Sequence, residues 1–480
     1  MLSHLDPASS LAVGLLIFSL ILVMAFEATN GFHDAANAVA TVIYTKSLQP
    51  GQAVVWSGFM NFLGVLIGGI SVAYALVELL PAEVLSPPSG APAVPMLVAL
   101  FVAALVWNIG TWYFGLPNSS SHCLIGALIG IALGNALIRD RSFGDGVHWS
   151  QVWSVLEALA LSPLLGFVLS AVLYFGLRKT AHDPNLYKPA GDEPPVWWMR
   201  CILILTCTGV SFAHGTNDGQ KSIGLIMLSI IGLFPALFAL NPEATQSLNG
   251  LPQMVQAATP LIAKYGDDEK TRALDAAKRL QGSPIPAVEP TSFAGIPQAE
   301  QPADRQLGLQ SDAAKARSTV RDDVYRLISE LKHVEESKGI SDDDKNKAKS
   351  LSKQLGDTVE YAPWWVRILS AVCLGIGTMI GYQRIVTTLG QRLGKVHLTP
   401  AQGASAELVS SVLIGISGFT GLPVSTTHIV TSGIAGTMVS SGAGLRYGML
   451  YRIVIAWLVT LPVTILIAGS LYYLLDSPGV

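Results

Sequence analysis

The sequence predicts an all-α polytopic membrane protein: two inverted repeats with broken, re-entrant helical hairpins, about 10–12 membrane elements in all, plus one hydrophilic insert. Three observations carry this. The first is the distribution of charge. Half of the 480 residues are hydrophobic, and only 30 basic and 33 acidic side chains are present. Residues 241–361 hold 16 of the basic and 19 of the acidic ones. That leaves 14 of each among the other 359 residues, about 8% charged, against ~25% in an ordinary soluble domain. The second is a series of apolar stretches near the ~20 residues a helix needs to cross hydrocarbon with its own backbone satisfied. The third is that two short motifs recur, in the same order, in both halves.

The same composition excludes other classes. So much apolar surface rules out a disordered chain, and a net charge of −3 without a basic stripe argues against nucleic-acid binding. Cys123, Cys201, Cys207 and Cys373 lie in apolar stretches without metal-ligand spacing. They read as small buried hydrophobes, and no resident metal or cofactor is expected. The first basic residue is Lys46, so the N-terminal apolar run lacks the charged start of a cleaved signal peptide and is expected to persist as a span.

In chain order, residues 1–178 form the first transmembrane repeat, 179–195 a linker, 196–240 the start of the second repeat, 241–361 the insert and 362–480 the rest of the second repeat. Plain spans are expected over 11–28, 53–80, 94–114, 152–177, 197–213, 223–240, 364–381, 404–419 and 451–475. Residues 115–139 and 421–444 each open with Gly-Leu-Pro and a hydroxyl cluster before running apolar. Proline is tolerated at a helix start and not inside, so these read as broken or re-entrant helices. Trp197-Trp198 and Trp364-Trp365, each followed by Arg, suit the headgroup region where a span begins. In the insert, 283–302 is Pro-rich and expected to be flexible. Val320, Val324, Leu327, Leu331 and Val334 follow 4-3-4-3 spacing, which predicts an amphipathic helix, read as a solvated spacer or regulatory element. Two basic sets, Arg178, Lys179, Lys188, Arg200 and Arg384, Arg392, Lys395, leave orientation open.

The repeated motifs bear the chemistry. His33-Asp34-Ala35-Ala36-Asn37 lines up with Asn217-Asp218-Gly219-Gln220-Lys221, and Gly115-Leu116-Pro117-Asn118-Ser119-Ser120-Ser121-His122 with Gly421-Leu422-Pro423-Val424-Ser425-Thr426-Thr427-His428. Asp34 and Pro117 are 83 residues apart; Asp218 and Pro423 are 205 apart, or 84 without the 121-residue insert. Internal repeats in a membrane protein point to a transporter with its site at the repeat interface.

Pro117 and Pro423 mark helix N-termini, whose free N–H groups and partial positive charge suit an oxyanion; the neighbouring hydroxyls add donors or merely cap the helices. Asp34 and Asp218 sit between apolar stretches, where a carboxylate is expensive and usually functional, an N-cap being the alternative. A carboxylate accepts a hydrogen bond from the P–OH of phosphate, whereas sulfate has no proton to offer, so this combination favours phosphate. Lys221, three residues after Asp218, shares its helix face, while Asn37 holds that place after Asp34. Glu27 and Glu407 lie in apolar segments and His122 and His428 lie within a turn of the hydroxyls; each is a candidate for carrying a proton or cation, or for plain packing. No Walker A sequence, dinucleotide fingerprint or Gly-x-Ser-x-Gly surrounds these residues, so an ATP-driven pump or a Ser/His hydrolase is disfavoured and no enzyme is expected.

These residues resemble the Pit-type inorganic phosphate transporters, a family that includes eukaryotic sodium–phosphate cotransporters. Its repeated Gly-x-Asn-Asp-x-x-Asn signature is matched by Gly31 to Asn37 and Gly215 to Lys221, with His33 and Lys221 in place of Asn, and its repeated Pro-x-Ser-x-Thr-His signature by the two Gly-Leu-Pro segments. The resemblance is to the bacterial low-affinity branch and covers nearly the whole chain. It implies a bacterial inner-membrane secondary transporter with phosphate held between Asp34, Asn37, Ser119, Ser120, Ser121 and Asp218, Ser425, Thr426, Thr427. It further implies proton symport, phosphate carried as a neutral complex with Mg²⁺ or another divalent metal, and Lys221, Glu407, Glu27, His33, Asn217, His122 and His428 as coupling candidates. A homodimer is kept open as its assembly. Because Lys221 brings a fixed ammonium with no lone pair, it should repel Na⁺ and stand in for a coupling cation. The alternative is a divalent-cation channel or metal transporter lined by Asp34, His33, Asp218 and Glu407.

Overall fold

The computed structural model describes residues 7–77, 79–80, 84, 93–142, 144, 147, 149–189, 191, 193–233, 239–266, 270–282, 312–337 and 339–477. The Pro-rich stretch 283–302, expected to be flexible, lies wholly outside them. The helices, in chain order, are α1 (Pro7–Tyr44), α2 (Pro50–Ile67), α3 (Ser71–Val77), α4 (Val94–Tyr113), α5 (Ser120–Ile138), α6 (Trp149–Thr180), α7 (Trp197–Leu233), α8 (Thr245–Asn249), α9 (Leu251–Tyr265), α10 (Lys270–Gly282), α11 (Asp312–Glu336), α12 (Asp342–Val359), α13 (Trp364–Met379), α14 (Gln383–Thr387), α15 (Pro400–Thr420), α16 (Thr426–Ser441) and α17 (Tyr447–Asp476). A π turn at Thr388–Arg392 extends α14. Among the described residues, seven helices are long and apolar enough to cross a membrane.

The chain divides into two compact units, one of 1–17, 85–93 and 227–365, the other of 18–84, 94–226 and 366–480. In the first, α9 to α12 bury one apolar face each around Val255, Ile262, Leu327, Leu331 and Leu355. The helix predicted from 4-3-4-3 spacing is α11, and its five marker residues are buried. It is therefore a packed core element and not the solvated spacer expected, because α10 and α12 present matching apolar faces to it. Arg279 on α10 clamps Asp323 on α11 through two bonds of 2.9 and 2.5 Å.

The second unit corrects the expected spans. The stretches 197–213 and 223–240 are not two spans, since α7 runs unbroken through Asp218, and α1 likewise runs through Asp34. A helix satisfies its own backbone, so the polar motifs need only side-chain partners and do not interrupt it. Neither Asp is therefore an N-cap. The stretch 53–80 is broken instead, at Gly68, between α2 and α3. Cys201 is exposed rather than buried, on the outward face of α7 with Trp197, Ile202 and Leu205.

Both Gly-Leu-Pro segments break the chain as their residue types demand. Gly115 and Gly421 adopt left-handed φ of 66° and 77°, which closes the preceding helix without a Cβ clash. The next helices start at Ser120 and Thr426, each capped by the preceding serine: Ser119 accepts from the His122 amide and Ser425 from the His428 amide, both at 3.2 Å. The helices then exchange partners. Helix α5 packs parallel to α17, with Gly130 against Ile465 and Gly469 and Gly134 against Gly469 and Tyr472. Helix α16 packs parallel to α6, with Gly436 against Phe167 and Ser440 donating to the Ala171 carbonyl. Small residues allow such close approach where lipid supplies no hydrophobic drive.

Hydrogen bonds to backbone carbonyls gather four of the basic residues at one end of this unit. Arg200 donates to the Ser47 carbonyl beyond α1, Arg178 to the Ser441 carbonyl at the end of α16, and Lys395 and Arg446 bond the 444 and 393 carbonyls between π turn and α17. Since α16 ends and α17 begins there, and α5 runs alongside α17 to its far end, α5 and α16 leave their meeting point in opposite directions.

Candidate functional site

The meeting point is built by α1, α7 and the starts of α5 and α16. Asp34 on α1 accepts from Asn37 Nδ2 at 2.8 Å and from the Thr427 hydroxyl, while Asn37 also donates to Thr427 Oγ1 at 3.1 Å. Asp218 on α7 accepts from Lys221 Nζ at 2.7 Å, as the three-residue spacing predicted, and from Ser120 Oγ at 3.5 Å. Lys221 Nζ also donates to Ser121 Oγ at 2.6 Å and to the Val424 carbonyl at 3.4 Å. Ser121 Oγ donates to that same carbonyl at 2.8 Å, so the first hairpin is tied directly to the second. All these side chains are buried. A carboxylate and an ammonium are tolerated at such depth because each has several charge-assisted partners.

The carboxylates are also cross-linked by residues that sequence reading missed. Four positions before each Asp stand Asn30 and His214. Asn30 Nδ2 reaches Asp218 Oδ2 at 3.4 Å, and His214 Nε2 lies 3.4 Å from Asp34 Oδ2 and 3.5 Å from Asp218 Oδ2. His214 Nδ1 is 2.6 Å from Asn61 Oδ1, whose amide nitrogen faces the Thr378 hydroxyl at 3.3 Å. An amide oxygen only accepts, so Nδ1 carries the hydrogen and Nε2 is turned to the two carboxylates. There it has either a lone pair facing negative charge, or a proton, or a cation between them. Ligand atoms of Asp34, His214 and Asp218 lie within 4.8 Å of one another, a group able to hold a metal ion. The available signal was the i−4 position shared by Asn30 and His214, hidden because the two residues differ.

The remaining predicted residues separate into layers. Ser119 and Ser425 serve as caps, and Thr426 is buried beside them. His122 and His428 meet with ring centroids 4.5 Å apart, and His428 stacks on Trp457 at 3.9 Å, so both pack at the hairpin junction. His33 and Asn217, each one residue before an Asp, turn away from the centre: His33 Nε2 bonds the Asn108 carbonyl on α4 at 2.7 Å and Asn217 Nδ2 bonds Ser417 Oγ on α15 at 3.0 Å. Glu27 is 1% exposed, and the polar side chain of Ser222 on α7 lies beside it. Glu407 accepts from Thr206 Oγ1 at 2.6 Å through one oxygen, and Thr41 on α1 also lies beside it.

A model of the phosphate transporter family matches residues 30–468, which contain all four motifs and every central contact above. The chain belongs to the phosphate transporter family. The low-affinity inorganic phosphate transporter PitA of Escherichia coli (strain K12) is 40% identical over 501 residues, covering 98% of this chain and 99% of that one. A probable low-affinity inorganic phosphate transporter of Bacillus subtilis (strain 168) is 26% identical, covering 96% and 98%. Among solved structures, one described as the sodium-dependent phosphate transporter shares the fold, with a TM-score of 0.51 at 17% identity over 96% of this chain and 99% of that chain. This member of the phosphate transporter family is thus a multi-pass membrane transporter and not an enzyme.

Proposed function

We propose that the protein imports inorganic phosphate across the bacterial inner membrane by alternating access, coupled to protons, with phosphate travelling as a neutral complex with a divalent metal such as Mg²⁺. The observation that carries this reading is the convergence of two oppositely directed helix N-termini on one carboxylate from each half. Amide N–H groups, hydroxyls and the Lys221 ammonium are donors for phosphate oxygens, and Asp34 or Asp218 accepts from P–OH. The cargo metal would be held by Asp34, His214 and Asp218, which relieves the clash of the His214 lone pair with two carboxylates. Lys221 already neutralises Asp218, in the place where a coupling Na⁺ would be drawn. Glu27, seven residues before Asp34, lies about 10 Å from it along α1 at the usual 1.5 Å rise. Glu407 neighbours Thr41, seven residues after Asp34, so the two flank the centre on opposite sides as carriers for the coupled proton. The basic end of the unit faces the cytoplasm in this reading.

The test is phosphate flux into vesicles holding the purified protein, under imposed pH or Na⁺ gradients, with and without Mg²⁺. A pH gradient should drive uptake, a Na⁺ gradient should not, and Mg²⁺ should be required. Uptake driven by Na⁺ alone would overturn proton coupling, and flux indifferent to Mg²⁺ would overturn the metal complex. The Asp34–His214–Asp218 group favours a second reading, a divalent-cation channel or metal transporter. Labelled metal entering without phosphate would select it.

A further inference from the structure

We propose that the cavity lined by Arg384 and Arg392 is a second anion site, an antechamber that takes a phosphate group beside the first hairpin. It has a volume of about 260 Å³ and is walled by Tyr113, Gly115, Gln383, Thr387 and the two arginines. That is room for a tetrahedral oxyanion with part of its hydration shell. Arg384 is held in place: Nη1 donates to the Tyr113 carbonyl at 2.7 Å, and its guanidinium lies 5.1 Å from the Trp112 ring and 5.2 Å from the Tyr113 ring. A guanidinium fixed this way keeps most of its five N–H donors for a ligand and loses little freedom on binding one. Among the described residues neither arginine has an acidic partner within ion-pair distance. Two unneutralised guanidiniums on one cavity recognise phosphate oxygens.

The backbone is arranged to bring them together. Eight residues apart on a regular α-helix, the two side chains would point about 80° apart at 3.6 residues per turn. The π turn at Thr388–Arg392 is wider and takes up that angle, a local irregularity often found at functional sites. Thr388 Oγ1 then donates to the Gly115 carbonyl at 2.7 Å, which ties the turn to the Gly-Leu-Pro segment two residues before Pro117. The antechamber therefore adjoins the loop that delivers Ser119, Ser120 and Ser121 to the central carboxylates.

The shared ligand chemistry, a phosphate group with net negative charge, has two sources: free phosphate on its way to or from the centre, and the headgroup of an anionic phospholipid, whose charge is not cancelled by an ammonium as it is in phosphatidylcholine. The inference rests on phosphate being the transported anion and not on the coupling ion. The purified full chain, the Arg384→Gln/Arg392→Gln double variant and the Arg392→Gln single variant, which removes no backbone contact, are compared. Uptake of labelled phosphate is measured in vesicles of phosphatidylcholine alone and of phosphatidylcholine with one-fifth phosphatidylglycerol. If free phosphate is the ligand, the double variant raises half-saturating phosphate about tenfold in both vesicles at unchanged maximal rate, and Arg392→Gln does so in part. If a headgroup is the ligand, the unaltered protein slows several-fold without phosphatidylglycerol and the variants are indifferent to lipid. Variants that match the unaltered protein in both respects, or that lose maximal rate equally in both vesicles with half-saturation unchanged, overturn the proposal. Absence of uptake by the unaltered protein would instead overturn the transport reading itself.

Discussion

The two halves surround equivalent carboxylates with unequal partners. Asp34 is held by neutral groups, Asn37 three residues on and Thr427 from the opposite hairpin. Asp218 is held by the ammonium of Lys221 three residues on, and by Ser120 from the opposite hairpin. Four residues before them, Asn30 and His214 each cross to the other half's carboxylate, again one neutral and one titratable. The motifs recur while their charge does not, and the difference is concentrated on α7, which carries both Lys221 and His214.

Experiments that erase or exaggerate this asymmetry rank by expected effect. Asp34→Asn and Asp218→Asn should each abolish phosphate uptake while protein still reaches the membrane, because under the proposed function each removes the acceptor for P–OH and a charge that would balance Lys221 or a cargo metal. Normal uptake in both would falsify the shared site. His214→Asn, which copies Asn30 into the second half, should weaken metal-dependent uptake by at least about tenfold, a typical cost of disturbing a metal ligand set. The measure is half-saturation by Mg²⁺ or Mn²⁺ at fixed phosphate, and an unchanged curve would remove His214 from the metal site.

Lys221→Asn makes the halves alike at the third position. It should restore a Na⁺ response and weaken the dependence on pH, read from uptake under separate gradients; unchanged proton dependence with no Na⁺ response would sink the role given to Lys221. The smallest effect is expected where the halves already match. Ser119→Ala and Ser425→Ala each lose a helix cap, so each should lower stability by about 1 kcal/mol, Ser119→Ala by slightly more because its hydroxyl also meets His122 Nδ1 at 2.8 Å. Thermal unfolding of the purified protein checks this, and a large difference between the two would mean that one serine does more than cap.

Much of this organisation was readable along the chain. Charge distribution marked out the polar stretch in which α9 to α12 pack, and Pro117 and Pro423 announced two helix starts that fall three residues further on, at Ser120 and Thr426, because proline breaks a chain locally. The pairing of Asp218 with Lys221 followed from helical spacing alone. What misled was the assumption that a polar motif interrupts a span: α7 continues through it, since a membrane helix needs partners for side chains and not a break in its backbone. The apolar spacing of α11 identified its buried face but not its neighbours.

By itself, then, the sequence determined the class, the repeated motifs and the short list of buried charges, each a property of residue type and local spacing. Only the tertiary structure decided which of them meet. His214, Asn30 and Asn61 entered the site because α1, α2 and α7 cross there, and His33 and Asn217 left it because they face α4 and α15. Arg384 and Arg392 share a cavity through a π turn that no spacing rule anticipates. Contacts between residues far apart in the chain depend on how helices pack, and packing is settled by the whole set of small-residue contacts and buried hydrogen bonds together.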